Sequence, residues 1–436
     1  MVDLDASSID IHRPRAFGAM RLRGVVLALD RDDGGFDGVI DRAMRTKYEL
    51  ECGTRGTLRH ALRALNSLAR RPCERLTVLV ADDGAATRAR EMIERARREG
   101  SWSGRTIEVT TARDGASELE ALATLEEREA GAGATTLVVM YGDVVTDASL
   151  DAVVSAQLAR GGAATCALAT RRPWAEVERK AGKAPKGTRY VGLSASGGEV
   201  AFLAGGEKMD EAQKRLKLRR SMLDANGEIV IRTDITDVGI FALDAARAFD
   251  AIRERPDMKS LRYDLIPHFV AEQFRGAKDA VVAAYMVPAD KYCVAVNTAK
   301  PALLEVSREI ASEFHHLNER PLSKYDNVLD HSTVVGSKST IGPGCVVAEQ
   351  CVLGDKCSVK KSVIAAECKI GSGVKIVNSL ILRGAVIGDG SQIQGCVIGP
   401  GAIVGARVVV KDSIVGAGYE VADDEDVDGE TLEKRD

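Results

Sequence analysis

Two aspartates stand where carboxylates could do phosphate chemistry. Asp143 lies in Tyr141-Gly142-Asp143-Val144-Val145-Thr146-Asp147, directly after an apolar run, and Asp237 lies in Thr236-Asp237-Val238-Gly239, directly before another. Two carboxylates brought together could bind one Mg2+, an ion that usually also takes water and substrate phosphates as ligands. An aspartate at a strand end is equally common as a turn or helix-cap residue. The loop after the first apolar run weighs against the metal reading. It reads Asp30, Arg31, Asp32, Asp33, Gly34, Gly35, Phe36, Asp37, and its four carboxylates would repel a triphosphate, with one arginine too few to reverse the sign. Asp143 and Asp237 are therefore vestigial metal candidates, and no catalytic residue, cofactor-binding residue or cofactor is assigned.

The remaining reactive side chains are dispersed. The six histidines are His12, His60, His268, His315, His316 and His331. The nine cysteines include no CxxC pair, so they read as reduced thiols rather than zinc ligands or a disulfide framework. A basic stretch, Lys214-Arg215-Leu216-Lys217-Leu218-Arg219-Arg220, alternates like a strand with one wet face, either a partner-binding patch or an edge protected by charge.

The elements that must position Asp143 and Asp237 show in the hydrophobic pattern. Apolar runs at Gly24 to Leu29, Leu76 to Ala81, Ile107 to Thr111 and Leu137 to Tyr141 alternate with helical patterns around Thr57 to Ala69, Ala86 to Arg98 and Ser117 to Glu129. That alternation predicts successive βαβ units: a mainly parallel sheet, helices on both faces, and ligands beyond the carboxyl ends of the strands.

Farther along, the period changes. From Val335 an aliphatic residue recurs every sixth position through Val359, and a five-residue step then leads to Ile364. The series continues through Ile370, Ile376, Ile381, Ile387, Ile393, Ile398, Val404, Val410, Val415 and Val421, each full turn advancing 17 residues as six, six and five. Such a turn describes a triangular coil of short parallel strands with the repeated residue pointing inward. Gly336, Gly342, Gly354, Gly371, Gly388, Gly399, Gly405 and Gly416 follow inward positions, as expected if the corners need backbone that a Cβ penalises. Cys345, Cys351, Cys357 and Cys368 fall where other turns carry small residues, and read as inward fillers.

The pattern resembles the hexapeptide-repeat family of left-handed parallel β-helices. Many members are acyltransferases, but no histidine follows His331 to serve as their general base, so the coil reads as an assembly surface. Upstream, the Gly142-Asp143 loop resembles the metal-holding site of sugar nucleotidyltransferases. A nucleotidyltransferase-like α/β domain followed by a left-handed β-helix is similar both to sugar-nucleotide pyrophosphorylases and to the gamma and epsilon subunits of translation initiation factor 2B. Several segments resemble the gamma type in particular: VVMYGDVVTDASLDAVV, LKLRRSMLDANGEIVIRTDITDVGIFAL, SLRYDLIPHFVAEQF and VNSLILRGAVIGDGSQIQGCVIG. Against that pattern the first loop is poorer in glycine, and the expected Lys-Pro pair is Lys47-Tyr48.

The resemblance implies a non-catalytic subunit of the guanine-nucleotide exchange complex. Its expected partners are an epsilon-type subunit, the other subunits and initiation factor 2. Only the acidic segment ADDEDVDGETLEKRD follows the coil, where an epsilon-type chain would carry an additional helical domain. The alternative is a sugar-1-phosphate nucleotidyltransferase using Mg2+. The expected organisation is an N-terminal tail over 1–22, a degenerate nucleotidyltransferase-like, Rossmann-like α/β domain over 23–295, a helical linker over 296–330, the left-handed β-helix over 331–421 and a disordered acidic tail over 422–436.

Composition narrows the setting. A net charge of -4 with 28 % charged residues offers no overall basic field for nucleic acid or an anionic membrane. With no apolar run of about 20 residues and no leader pattern, a cytosolic address is expected.

Overall fold

A computed structural model describes residues 21–29, 36, 39, 47–53, 55–68, 75–98, 106–127, 135–172, 189–205, 222, 227–277, 280–318 and 320–434. The acidic loop at 30–37 (apart from Phe36), the basic stretch at 214–220 and the N-terminal tail to residue 20 lie outside the described residues.

The α/β half is built on a seven-stranded mixed sheet. From one edge to the other its strands are Val282–Met286, Ala164–Thr170, Ile235–Asp244, Thr136–Tyr141, Leu22–Ala28, Arg75–Val80 and Thr106–Thr111. The expected βαβ units are present, and the strands from Thr136 to Thr111 in that order run parallel. Ile235–Asp244 runs antiparallel to both of its neighbours. Side chains alternate between faces along a strand, and both faces are dry. Val25, Leu27, Leu137 and Val139 join one core with the Glu118–Glu127 and Ala245–Glu254 helices. Val26, Ala28, Val138 and Met140 join a second with the helices Thr57–Asn66, Asp83–Arg98 and Leu150–Arg160.

The C-terminal half is a three-sided parallel β-helix. One side stacks seven two-residue strands from Val328–Leu329 to Thr431–Leu432, and the other two stack six each. The aliphatic series points inward as expected: Leu353, Val359, Ile364, Ile370, Ile376 and Ile381 are all buried, with Cys345, Cys351, Cys357 and Cys368 filling between them. Cys396 lies in the same interior, one position of a ladder shared with Ser362, Ser379 and Ser413. The Ser379 hydroxyl accepts from the Cys396 amide at 3.2 Å and the Ser362 hydroxyl from the Ser379 amide at 3.1 Å.

Three expectations need correction. The coil extends beyond 331–421 at both ends, and the acidic segment is not a disordered tail through its described length. Asp426–Asp428 and Thr431–Leu432 add to the sheets, with Val427 buried. The reason is in the spacing, because Val421, Val427 and Leu432 continue the steps of six and five while the acids point outward. The glycines after inward positions also serve a different purpose. A Cβ on Gly336 would lie 2.5 Å from the Gly354 carbonyl, and one on Gly388 2.6 Å from that of Gly405, so close approach of successive coils excludes a side chain. The left-handed backbone occurs farther along each corner, at Lys338, Lys356, Glu367, Gly373, Gly384 and Arg407 among others.

The two halves share a core. The helix Leu304–Ser312 and the turn before it place Ala302, Leu303, Val306 and Ile310 against Val346, Val363, Leu380 and Val397, the outward residues of one coil face. Leu50, Val145 and Tyr292 close the same cluster from the α/β side. At its rim the Arg383 guanidinium donates to Glu51 at 2.8 Å and to Glu367 at 2.6 Å.

Candidate functional site

The chain passes from Leu22–Ala28 to strands on one side and then returns to Thr136–Tyr141 on the other. Such a reversal opens a crevice at the carboxyl ends of the two strands, where α/β sheets bind ligands. Asp143 is at that point. The Gly142 amide donates to the Leu27 carbonyl at 2.9 Å, and the Val296 amide donates to the Asp143 carbonyl at 2.8 Å. Asp237 reaches the same end from the antiparallel neighbour. Ile240 pairs with Met140, and Asp237 and Asp143 both act on the Arg262 guanidinium.

The crevice is already filled. Lys47 places Nζ 3.2 Å from Asp143 Oδ2, with both side chains almost wholly buried. Tyr48 packs beside it, buried, and its hydroxyl donates to the Leu29 carbonyl at 3.2 Å. A Cβ on Gly142 would meet the Tyr48 ring at 2.9 Å, so this glycine admits an aromatic plug rather than a substrate phosphate.

Arg262 closes the other carboxylate. Its Nε lies 2.9 Å from Asp237 Oδ1, whose side chain is 0 % exposed, and Asp237 Oδ1 also accepts from the Gly239 amide at 3.2 Å. The guanidinium covers the Tyr141 ring at 4.8 Å. Gly239, at φ +80°, makes room, since a Cβ there would lie 2.7 Å from Arg262 Nη2 and 2.8 Å from Tyr141 Cδ2. Burial, the largest single influence, opposes the charge on Arg262, but Asp237, Tyr141, Tyr263 and Asp143 together outweigh it, and the guanidinium is held above its ordinary range. Burial likewise raises the Tyr141 phenol, reinforced by Glu118.

The segment carrying Arg262 is fixed by carboxylates of its own. Glu118 Oε2 accepts from the Tyr141 hydroxyl, the Ser260 hydroxyl and the Leu261 amide, each at 2.9 Å. Asp264 Oδ2 accepts from the Lys259 and Ser260 amides at 2.8 Å.

Mg2+ does not fit this donor set. Each carboxylate faces a cation at contact distance, and a divalent ion about 4 Å from an ammonium would meet a repulsion of about 8 kcal/mol at an effective dielectric of about 20. Sequence reasoning missed Lys47 and Arg262 as members of the site. No spacing links residues so far apart in the chain, and the replacement of Lys-Pro by Lys47-Tyr48 was the one available signal.

Among the described residues no group of three or more His, Cys, Asp or Glu side chains could hold a metal, and no helix is long and apolar enough to cross a membrane. All eight described cysteines are free and buried. Residues 325–427, the coil rather than the α/β sheet, match the family model described as the EIF2B subunit epsilon LbH domain, the left-handed β-helix of that subunit. The stacked three-sided coil and this match agree on a left-handed β-helix of the EIF2B kind over these residues.

Proposed function

We propose that the chain is a gamma-type subunit of the initiation factor 2B guanine-nucleotide exchange complex, acting as an assembly and regulatory partner of an epsilon-type subunit in the cytosol. The observation that carries this reading is a β-helix of the EIF2B kind joined through a shared apolar core to a Rossmann-like sheet. The resemblance of the upstream segments to the gamma type supports the gamma reading over the epsilon one. The filled crevice supports a non-enzymatic role, because both carboxylates a nucleotidyltransferase would offer to a metal are paired with cations.

Tagged protein isolated from its native cell is expected to bring down an epsilon-type subunit and initiation factor 2, identified by mass spectrometry. Recovery of neither sinks the proposal. The alternative, a sugar-1-phosphate nucleotidyltransferase, rests on the juxtaposition of Asp143 and Asp237. It requires pyrophosphate release by the purified chain from a nucleoside triphosphate and a sugar phosphate with Mg2+, abolished by Asp143→Asn.

A further inference from the structure

We propose that Lys47 and Arg262 are built-in cations that take the place of a divalent metal at Asp143 and Asp237, so that this end of the sheet is closed and neutralised without any ion from solution. The proposal is independent of which subunit the chain is.

Three features carry it. The first is pairing: each carboxylate meets a cation at contact distance, Lys47 on Asp143 at 3.2 Å and Arg262 on Asp237 at 2.9 Å. Each cation offsets the charge of its own carboxylate and so weakens that carboxylate's pull on Mg2+ or Mn2+. The second is burial. The Asp143 side chain is 11 % exposed and that of Asp237 0 %, so a hydrated ion would have to shed its water and displace a seated cation, and Mg2+ dehydrates reluctantly. The third is that the backbone is shaped for these residues. Gly239 leaves the space that the Arg262 guanidinium occupies over Tyr141, and Gly142 leaves the space for the Tyr48 ring beside Lys47.

Mn2+ serves as the probe, because its binding is read directly by electron paramagnetic resonance and by the shift it causes in melting temperature. The full-length protein is expected to bind no Mn2+ at this crevice and to melt at the same temperature with millimolar Mn2+ as with a chelator. The Lys47→Met/Arg262→Met variant removes both cations while keeping the carboxylates and much of the side-chain volume. It is expected to melt lower and to regain about 2–4 °C with Mn2+, a gain abolished by adding Asp237→Asn. Should the double variant not fold, Lys47→Met alone carries the same readout at Asp143.

Two results overturn the proposal. One is Mn2+ binding by the unaltered protein that Asp143→Asn or Asp237→Asn removes. The other is a folded cation-deleted variant, confirmed by circular dichroism, that gains neither bound Mn2+ nor stability.

Discussion

The coil and the crevice solve opposite problems with the same backbone economy. In the coil, each strand repeats the chemistry of the strand one turn earlier: Ile364, Ile381, Ile398 and Val415 stack directly, and a cavity at one level is felt by the levels above and below. In the crevice nothing repeats. Lys47, Tyr48, Tyr141, Asp143, Asp237, Gly239 and Arg262 come from separate stretches and meet once. A periodic region tolerates charge on its outside without losing its fold, as the acid-rich last coil around Val427 shows. A convergent region is held by contacts that each occur once, so a lost contact has no neighbour of the same kind to replace it.

The largest expected effect lies in the coil. Ile381→Ala removes buried methylene and methyl groups from the middle of the stack, and truncations of this kind cost about 2–5 kcal/mol. Hydrogen exchange followed by mass spectrometry should show faster exchange spreading to the coils on either side, with the sheet from Leu22 to Tyr141 nearly unchanged. Equal loosening of both halves would mean that the shared core at Leu303, Val363 and Leu380 couples them more tightly than the coil is coupled to itself.

Acid reverses the order of failure. His60 is buried in the Thr57–Asn66 helix with Nε2 3.0 Å from the Cys52 carbonyl. Burial, with Arg55 the next cause, lowers its pKa from 6.5 to about 3. The folded state therefore refuses a proton that the unfolded chain accepts below pH about 6.5. Stability from this group is complete above that pH and is lost as pH falls toward about 3, reaching about 2 kcal/mol by pH 5. Chemical denaturation at pH 7 and pH 5 measures it, and His60→Gln should remove a difference of that size. The coil has no buried histidine among its described residues, so exchange at pH 5 should rise first in the α/β half.

The smallest effect tests the corners. Lys356 is exposed and left-handed at φ 54°, a backbone that costs a residue with a Cβ about 1–2 kcal/mol. Glycine relieves that strain but loses more chain entropy on folding, so Lys356→Gly is expected to stabilise by about 0.5 kcal/mol in a denaturant titration. A loss of stability would show that the lysine side chain contributes a contact worth more than its strain.

Legibility in the sequence followed the range of the forces. The βαβ order was readable because strand and helix patterns are local: the strand expected from Leu76 is Arg75–Val80, and the helix expected from Ser117 is Glu118–Glu127. The antiparallel placement of Ile235–Asp244 was not, since pairing partners are chosen by the whole sheet. For the candidate site, the carboxylates were legible from their strand-end setting and the cations were not. The glycine pattern was found for the wrong reason: Gly336 and Gly354 avoid the backbone of the next coil, a neighbour that exists only once the coil is wound.

The sequence by itself determined the period of the coil, its inward residues and the α/β order before it, because each depends on side-chain spacing within a few residues, whereas the continuation through Val427 and Leu432 came from the structure. Only the tertiary structure decided what Asp143 and Asp237 do. A carboxylate takes its role from the charges around it, and here those are Lys47 and Arg262, delivered by chain segments whose meeting depends on the sheet order and on voids at Gly142 and Gly239.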